Sequence, residues 1–262
     1  MRAGRLAPLV LVTVVLLLGA ARAAEIPGGI GVVLLHGKDG SPDHVINFLA
    51  SAIEAAGFPV ERPTLCFSRQ RIYDRAFLDC FTDIDAAVAR VRSRGATRIV
   101  IAGQSLGGAT ALAFGARHDG LAGIVALAPA PGPNAARRPE IAQSLERARA
   151  QIAAGHGADA GDFADINTGT PFTVHTTAAI YVSFLAPDGP AMTIAANTAQ
   201  LKAPLLWVAG TKDPSQPGPE WGFAHAPANP MNRYVTAEAA HLATPDAARE
   251  AVVAWLKELA QR

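Results

Sequence analysis

Residues 103–107 read Gly-Gln-Ser-Leu-Gly, and they leave the surrounding chain few choices. Ahead of them runs Arg98-Ile99-Val100-Ile101-Ala102, a short β-branched apolar stretch that reads as a buried strand. Behind them, Gly108-Ala109-Thr110-Ala111-Leu112-Ala113-Phe114 reads as the start of a helix. A strand that passes straight into a helix needs a sharp turn, and a serine at its apex takes a strained backbone. The flanking positions then crowd strand and helix, so glycine fits best at 103 and 107. Such a turn lifts the Ser105 hydroxyl above the sheet edge. It also aims the Leu106 N–H, at a helix N-terminus, at the same point, where negative charge is favoured. A Gly/Ser loop feeding a helix is the plainer use of these residues; the strand before it gives the chemical use its weight.

Other apolar runs repeat the strand pattern. Ile30–Leu35 is continuous and ends in His36-Gly37-Lys38-Asp39-Gly40. Val45, Ile46, Leu49 and Ile53 then recur at helical spacing, and Gly57 stops that helix. Phe58–Pro63 is a shorter second strand, and a helix is expected from about Ala76 to Arg94. Gly123–Ala128 and Pro204–Ala209 are further buried strands, and Arg233–Val235 is a short last one. A terminal amphipathic helix is expected over Pro245–Leu259, with Thr244 as its N-cap. Strands alternating with helices predict an α/β fold: a mostly parallel sheet with helices on both faces. Between 129 and 203 the alternation breaks. A helix over Pro139–Ala154, a loop over Gly155–Gly161 and an apolar stretch over Thr173–Leu185 suggest a small cap-like insertion over the site. Its Phe172, Val174, Ile180, Tyr181, Phe184 and Met192 are expected to wall a small chamber.

A serine hydroxyl needs a base, and the base needs an orienting group. His241 lies past the last strand among small residues and is the first choice for the base. His225 is the second choice, and His118 falls at the far end of the helix after Ser105. Asp213, in Gly210-Thr211-Lys212-Asp213-Pro214, stands just after a strand and is the expected acid. Asp before proline also makes ordinary Asx turns. Asp188 and Glu238 are weaker alternatives, and Lys212 beside Asp213 could compete for its charge. A second amide donor is expected from Lys38, after Gly37, with His36 a structural hydrogen-bonding residue. Arg69, Arg71 and Tyr73 are candidates to line the mouth and attract an anionic group. Cys66 and Cys80, the only cysteines, are expected to pair.

The N-terminal 23 residues have the pattern of a secretory signal peptide. Arg2 and Arg5 precede the apolar run Leu9–Leu18, and Ala21-Arg22-Ala23 fits the cleavage rule. The run is shorter than the roughly 20 residues a membrane span needs, so no stable membrane anchor is expected. Removing Arg2, Arg5 and Arg22 leaves 20 basic residues against 22 acidic, a net charge of −2. There is no basic surplus for nucleic acid or anionic membranes. About 240 residues remain, enough for one large domain over 24–262.

Leu-Leu-His-Gly, Gly-Gln-Ser-Leu-Gly-Gly, Val-Ala-Gly-Thr-Lys-Asp-Pro and the late His241 together resemble an α/β-hydrolase of the esterase, lipase and dienelactone-hydrolase type. Ser68–Asp74 is similar to a stretch of exported bacterial hydrolases. The resemblance implies a serine hydrolase with the triad Ser105, Asp213, His241 and oxyanion donors Leu106 and Lys38. It implies a small-molecule ester substrate and no metal or organic cofactor, and the small chamber expected under the insertion suits short acyl groups. A thioester, an amide or an acyl acceptor would suit the same triad, and a binding protein on the same fold is the reading from another class.

Overall fold

The computed structural model describes residues 25–130 and 138–262; the signal-peptide reading falls on residues 1–23, outside them. Six strands form one parallel sheet: β1 (Ile30–Leu35), β2 (Val60–Glu61), β3 (Arg98–Gln104), β4 (Gly123–Leu127), β7 (Leu205–Gly210) and β8 (Arg233–Ala237). Their spatial order is β2-β1-β3-β4-β7-β8. The order reverses between β1 and β3, so a crevice opens beyond the carboxyl ends of those two strands. Leu35 pairs with Gly103 there, which brings the His36-Gly37-Lys38 loop beside the Ser105 turn.

The continuous apolar strands follow from burial on both faces. Val33, Leu35, Ile99, Ile101 and Trp207 point to one side, with α2 (Phe81–Ser93) and α3 (Leu106–Gly115). Val32, Leu34, Val100, Ala102 and Val208 point to the other, against α1 (Asn47–Ala55) and α8 (Arg249–Ala260). Helix α3 is buried along its whole length, which explains its lack of a polar stripe.

The insertion is more ordered than its sequence suggests. Helix α4 (Pro139–Ala153) leads to an antiparallel hairpin, β5 (Ala160–Asn167) and β6 (Thr170–Thr177), then α5 (Ala178–Leu185) and α6 (Ile194–Ala199). The expected loop over Gly155–Gly161 therefore gives way to strand at Ala160. Thr168 and Gly169 form the two-residue turn, with φ of 48° and 86°, as a tight hairpin demands. The Thr177 hydroxyl accepts from the Ile180 N–H and starts α5.

The terminal helix also differs from expectation. It is split into α7 (Thr244–Ala247) and α8, and Thr244 does not cap it. A 3₁₀ turn over His241–Ala243 already leads into α7. The buried Thr244 hydroxyl instead donates back to the Ala240 carbonyl at 3.1 Å, tying down the loop that carries His241. Cys66 and Cys80 form the expected disulfide. No helix among the described residues is long and apolar enough to cross a membrane.

Candidate active site

Ser105 sits between β3 and α3 with φ 56° and ψ −122°, a conformation that costs on the order of 1–3 kcal/mol. The two glycines explain how the turn closes. A Cβ on Gly103 would collide with the Gly107 backbone, and one on Gly107 with the Leu35 and His36 carbonyls. Crowding comes from the helix at the first position and from the end of β1 at the second. The Ser105 carbonyl accepts from the N–H of Ala109, and its N–H donates to Leu127 on β4.

His241 Nε2 lies 2.8 Å from Ser105 Oγ, and its Nδ1 lies 2.6 Å from Asp213 Oδ2. A carboxylate facing Nδ1 fixes the proton on that nitrogen. Nε2 then presents a lone pair to the serine hydroxyl. Asp213 is buried at the end of β7, and it serves two partners at once. Oδ1 accepts from the Ser215 N–H at 2.9 Å and the Ser215 hydroxyl at 2.7 Å, an Asx turn, while Oδ2 meets His241. Burial pushes its carboxyl up, but the bonds from His241 and Ser215 outweigh this and hold it below the ordinary carboxylate value. The turn and the charge-orienting roles of this aspartate are therefore compatible.

The other candidates are elsewhere. His225 is exposed. His118 stacks on Phe114 and meets its carbonyl. Asp188 pairs with Arg149, and Glu238 pairs with Lys212, both at the surface. Lys212 thus leaves Asp213 alone.

The loop after β1 is pinned by His36. Its Nε2 accepts from the Leu65 N–H at 3.1 Å, so the proton sits on Nδ1 and is donated to the Gly37 carbonyl at 2.7 Å. The Gly40 N–H donates to the same carbonyl at 3.1 Å. In a trans peptide the N–H points opposite to the C=O. The Lys38 N–H therefore faces away from these anchors. Gly37 lies against the nucleophile; a Cβ there would come within 3.1 Å of Ser105 Cβ.

A cavity of about 580 Å³ opens over Ser105, and Leu106, Lys38, Asp213 and His241 line it. Ile141, Ile166, Leu185 and Asp165 come from the insertion. This corrects the expected chamber: Phe172, Val174, Ile180, Tyr181, Phe184 and Met192 are not among its lining residues. Most pack into the core or against it instead, because α5 turns that face toward Phe77 and β5.

The three residues expected at the mouth go to three places. Arg69 is exposed, 3.4 Å from Asp39, and borders a neighbouring cavity of about 410 Å³. Arg71 is turned away from both cavities and is bonded to Asp74, Asp83 and the Thr64 carbonyl. Three partners drawn from its own loop and from α2 consume its fork. Tyr73 is buried, stacked on Phe184 at 4.1 Å, with its hydroxyl donating to Asp165 at 2.6 Å. Asp165 was not legible as a site residue. Its one signal is a charge in the inward slot of the β5 alternation, two residues after buried Phe163.

A family model described as serine aminopeptidase, S33, matches residues 32–168. No curated protein sequence is a significant match. Among solved structures, a metagenome-derived lipolytic enzyme is similar with a TM-score of 0.63 and 19% identity, over 90% of this chain and 95% of that one. The monoacylglycerol lipase of Paleococcus ferrophilus gives 0.60 and 18%, over 87% and 94%. Est1E from Butyrivibrio proteoclasticus gives 0.57 and 17%, over 89% and 88%. At these identities the structural likeness speaks for the fold. The family match spans just over half of the chain and runs from β1 through the Ser105 turn to just past the end of β5, so the protein belongs to the serine aminopeptidase S33 family of α/β-hydrolases.

Proposed function

We propose that this protein is a serine hydrolase that cleaves carboxylic esters with short acyl groups. The observation that carries the reading is the continuous relay from Ser105 Oγ through His241 to Asp213, at 2.8 and 2.6 Å, open to a cavity. Ser105 attacks the acyl carbon while His241 Nε2 takes its proton. Asp213 holds the ring and stabilises the imidazolium. The Leu106 and Lys38 amides bind the oxyanion. The proton passes to the leaving alcohol, an acyl-enzyme remains, and water activated by His241 releases the acid.

The family description favours a second reading, an aminopeptidase. A substrate α-amine would need a free carboxylate near the nucleophile. The two lining carboxylates among the described residues are both engaged: Asp213 with His241, and Asp165 with Lys38 and Tyr73. The ester reading is favoured on that ground.

The test compares kcat/KM for p-nitrophenyl butyrate, butyrylthiocholine and alanine p-nitroanilide in wild type and Ser105→Ala. The ester should be the best substrate, and Ser105→Ala should lose on the order of 10³-fold or more. Preference for the anilide would replace the ester reading, and full activity in Ser105→Ala would end the hydrolase mechanism.

The protein is also read as exported. The basic n-region, the short apolar run and Ala21-Arg22-Ala23 support this, as does a disulfide, which persists in oxidising compartments. Mass spectrometry of the secreted chain should find Ala24 at its N-terminus. A cell-retained chain starting at Met1 would refute export.

A further inference from the structure

Lys38 has a second attachment besides its backbone. Its ammonium lies 2.7 and 2.8 Å from the two carboxylate oxygens of Asp165 and 3.1 Å from the Ile166 carbonyl, all on β5. Asp165 also accepts from the Tyr73 hydroxyl and, at 2.7 Å, from the Ile166 N–H. The Asn167 side chain donates to the Lys38 carbonyl at 3.2 Å. Asp165 is 1% exposed.

A buried ion pair is poor value for stability, because desolvation cancels much of its attraction and apolar residues of the same volume do as well. What it supplies is direction. The β5–β6 hairpin belongs to a separate two-stranded sheet and shares no ladder with the main one. It meets the loop after β1 through these polar bonds. On one side of Lys38 the Gly37 carbonyl is held by His36 and Gly40; on the other the Lys38 carbonyl is held by Asn167. Both peptide planes flanking the residue are fixed, and the side chain is fixed by Asp165. Tyr73 braces the carboxylate, and its own carbonyl accepts from Thr176 on β6 at 2.8 Å. An oxyanion donor is effective only if it is aimed before the reaction begins. A displacement of about 1 Å can cost about 100-fold.

We propose that Asp165 is a positioning residue: from the insertion hairpin it holds Lys38 so that the Lys38 amide stays aimed at the oxyanion above Ser105. This rests on the ester-hydrolase reading above. It makes the insertion part of the catalytic geometry as well as a wall of the cavity.

The experiment uses the full chain, with Asp165→Asn and the double variant Lys38→Met/Asp165→Leu, each checked by thermal unfolding. Readouts are kcat and KM for p-nitrophenyl butyrate and the Ki of a trifluoromethyl ketone analogue, whose adduct with Ser105 carries an oxyanion. Asp165→Asn should lower kcat 10- to 100-fold, change KM less than about threefold and raise the Ki in parallel. The double variant leaves no unpaired buried charge, so it should unfold at a higher temperature than Asp165→Asn and still show the low kcat and weak ketone binding. Recovery of kcat along with stability would overturn the proposal and leave Asp165 a structural residue. Unchanged kcat and Ki in Asp165→Asn would overturn it too. An inactive wild type that also resists a fluorophosphonate serine probe would overturn the hydrolase reading, and this proposal with it.

Discussion

Lys212 and Asp213 are chain neighbours that face opposite ways. Lys212 extends to the surface and pairs with exposed Glu238 at 3.0 Å, while Asp213 turns inward to His241. The neighbouring cation is therefore no competitor. Asp213→Asn should keep the fold and lower kcat about 10³- to 10⁴-fold, because the amide favours the wrong histidine tautomer. Lys212→Ala and Asp188→Asn should stay within about twofold of wild type. A dead Asp188→Asn beside an active Asp213→Asn would move the acid elsewhere.

His36 makes stability depend on pH. Burial lowers its pKa below the ordinary value of 6.5, against the smaller opposing pull of its bond to the Gly37 carbonyl. Protonation would also remove the Nε2 acceptor from the Leu65 N–H. The folded pKa lies below the unfolded one, so between them the unfolded chain binds the extra proton. His36 thus contributes its full stability above about pH 6.5, and loses it as pH falls toward its folded value. Unfolding temperatures measured from pH 8 to pH 5 should decline below that point. His36→Gln should start lower and decline less steeply; an equally steep decline would assign the effect to other groups.

The Cys66–Cys80 disulfide braces the loop that carries Tyr73. Both cysteines are fully buried, and their sequence separation is 14. Closing a loop of that size stabilises by about 3 kcal/mol on the chain-entropy account. Cys66→Ser/Cys80→Ser should lower the unfolding temperature by several degrees. Native peptide mapping should recover a Cys66–Cys80 linked fragment; two freely alkylated thiols would contradict it.

On the proposed ester reading, the cavity of about 580 Å³ over Ser105 is expected to set the preferred acyl length. Ile141 and Leu185 line it from the insertion. Each methylene that fits should add up to about 0.8 kcal/mol, and the gain should stop where the cavity ends. Across p-nitrophenyl esters from acetate to palmitate, kcat/KM should peak among the short chains. Leu185→Trp should move the peak to still shorter ones. A steady rise through palmitate in the wild type would refute a closed acyl site.

The sequence by itself determined the parts whose physics is local. Arg98–Ala102, Gly103, Gly107 and the apolar helix that follows specify the Ser105 turn, because strand, tight turn and helix each depend on neighbouring residues. The long apolar strands announced burial on both faces, hence a parallel sheet. His241 and Asp213 were legible because chain order and the flanking strands place them at one sheet edge. Only the tertiary structure decided what depends on distant partners. The β5–β6 hairpin shows weak periodicity, since a Thr-Gly turn and an inward aspartate blur the alternation. Asp165 gained its meaning from Lys38, 127 residues away, and Tyr73, 92 residues away. Arg71 and Tyr73 looked like mouth residues because their loop leaves a strand on the active side. Their directions were set instead by Asp74, Asp83, Phe184 and Asp165, through ion pairing and stacking that a linear reading does not contain.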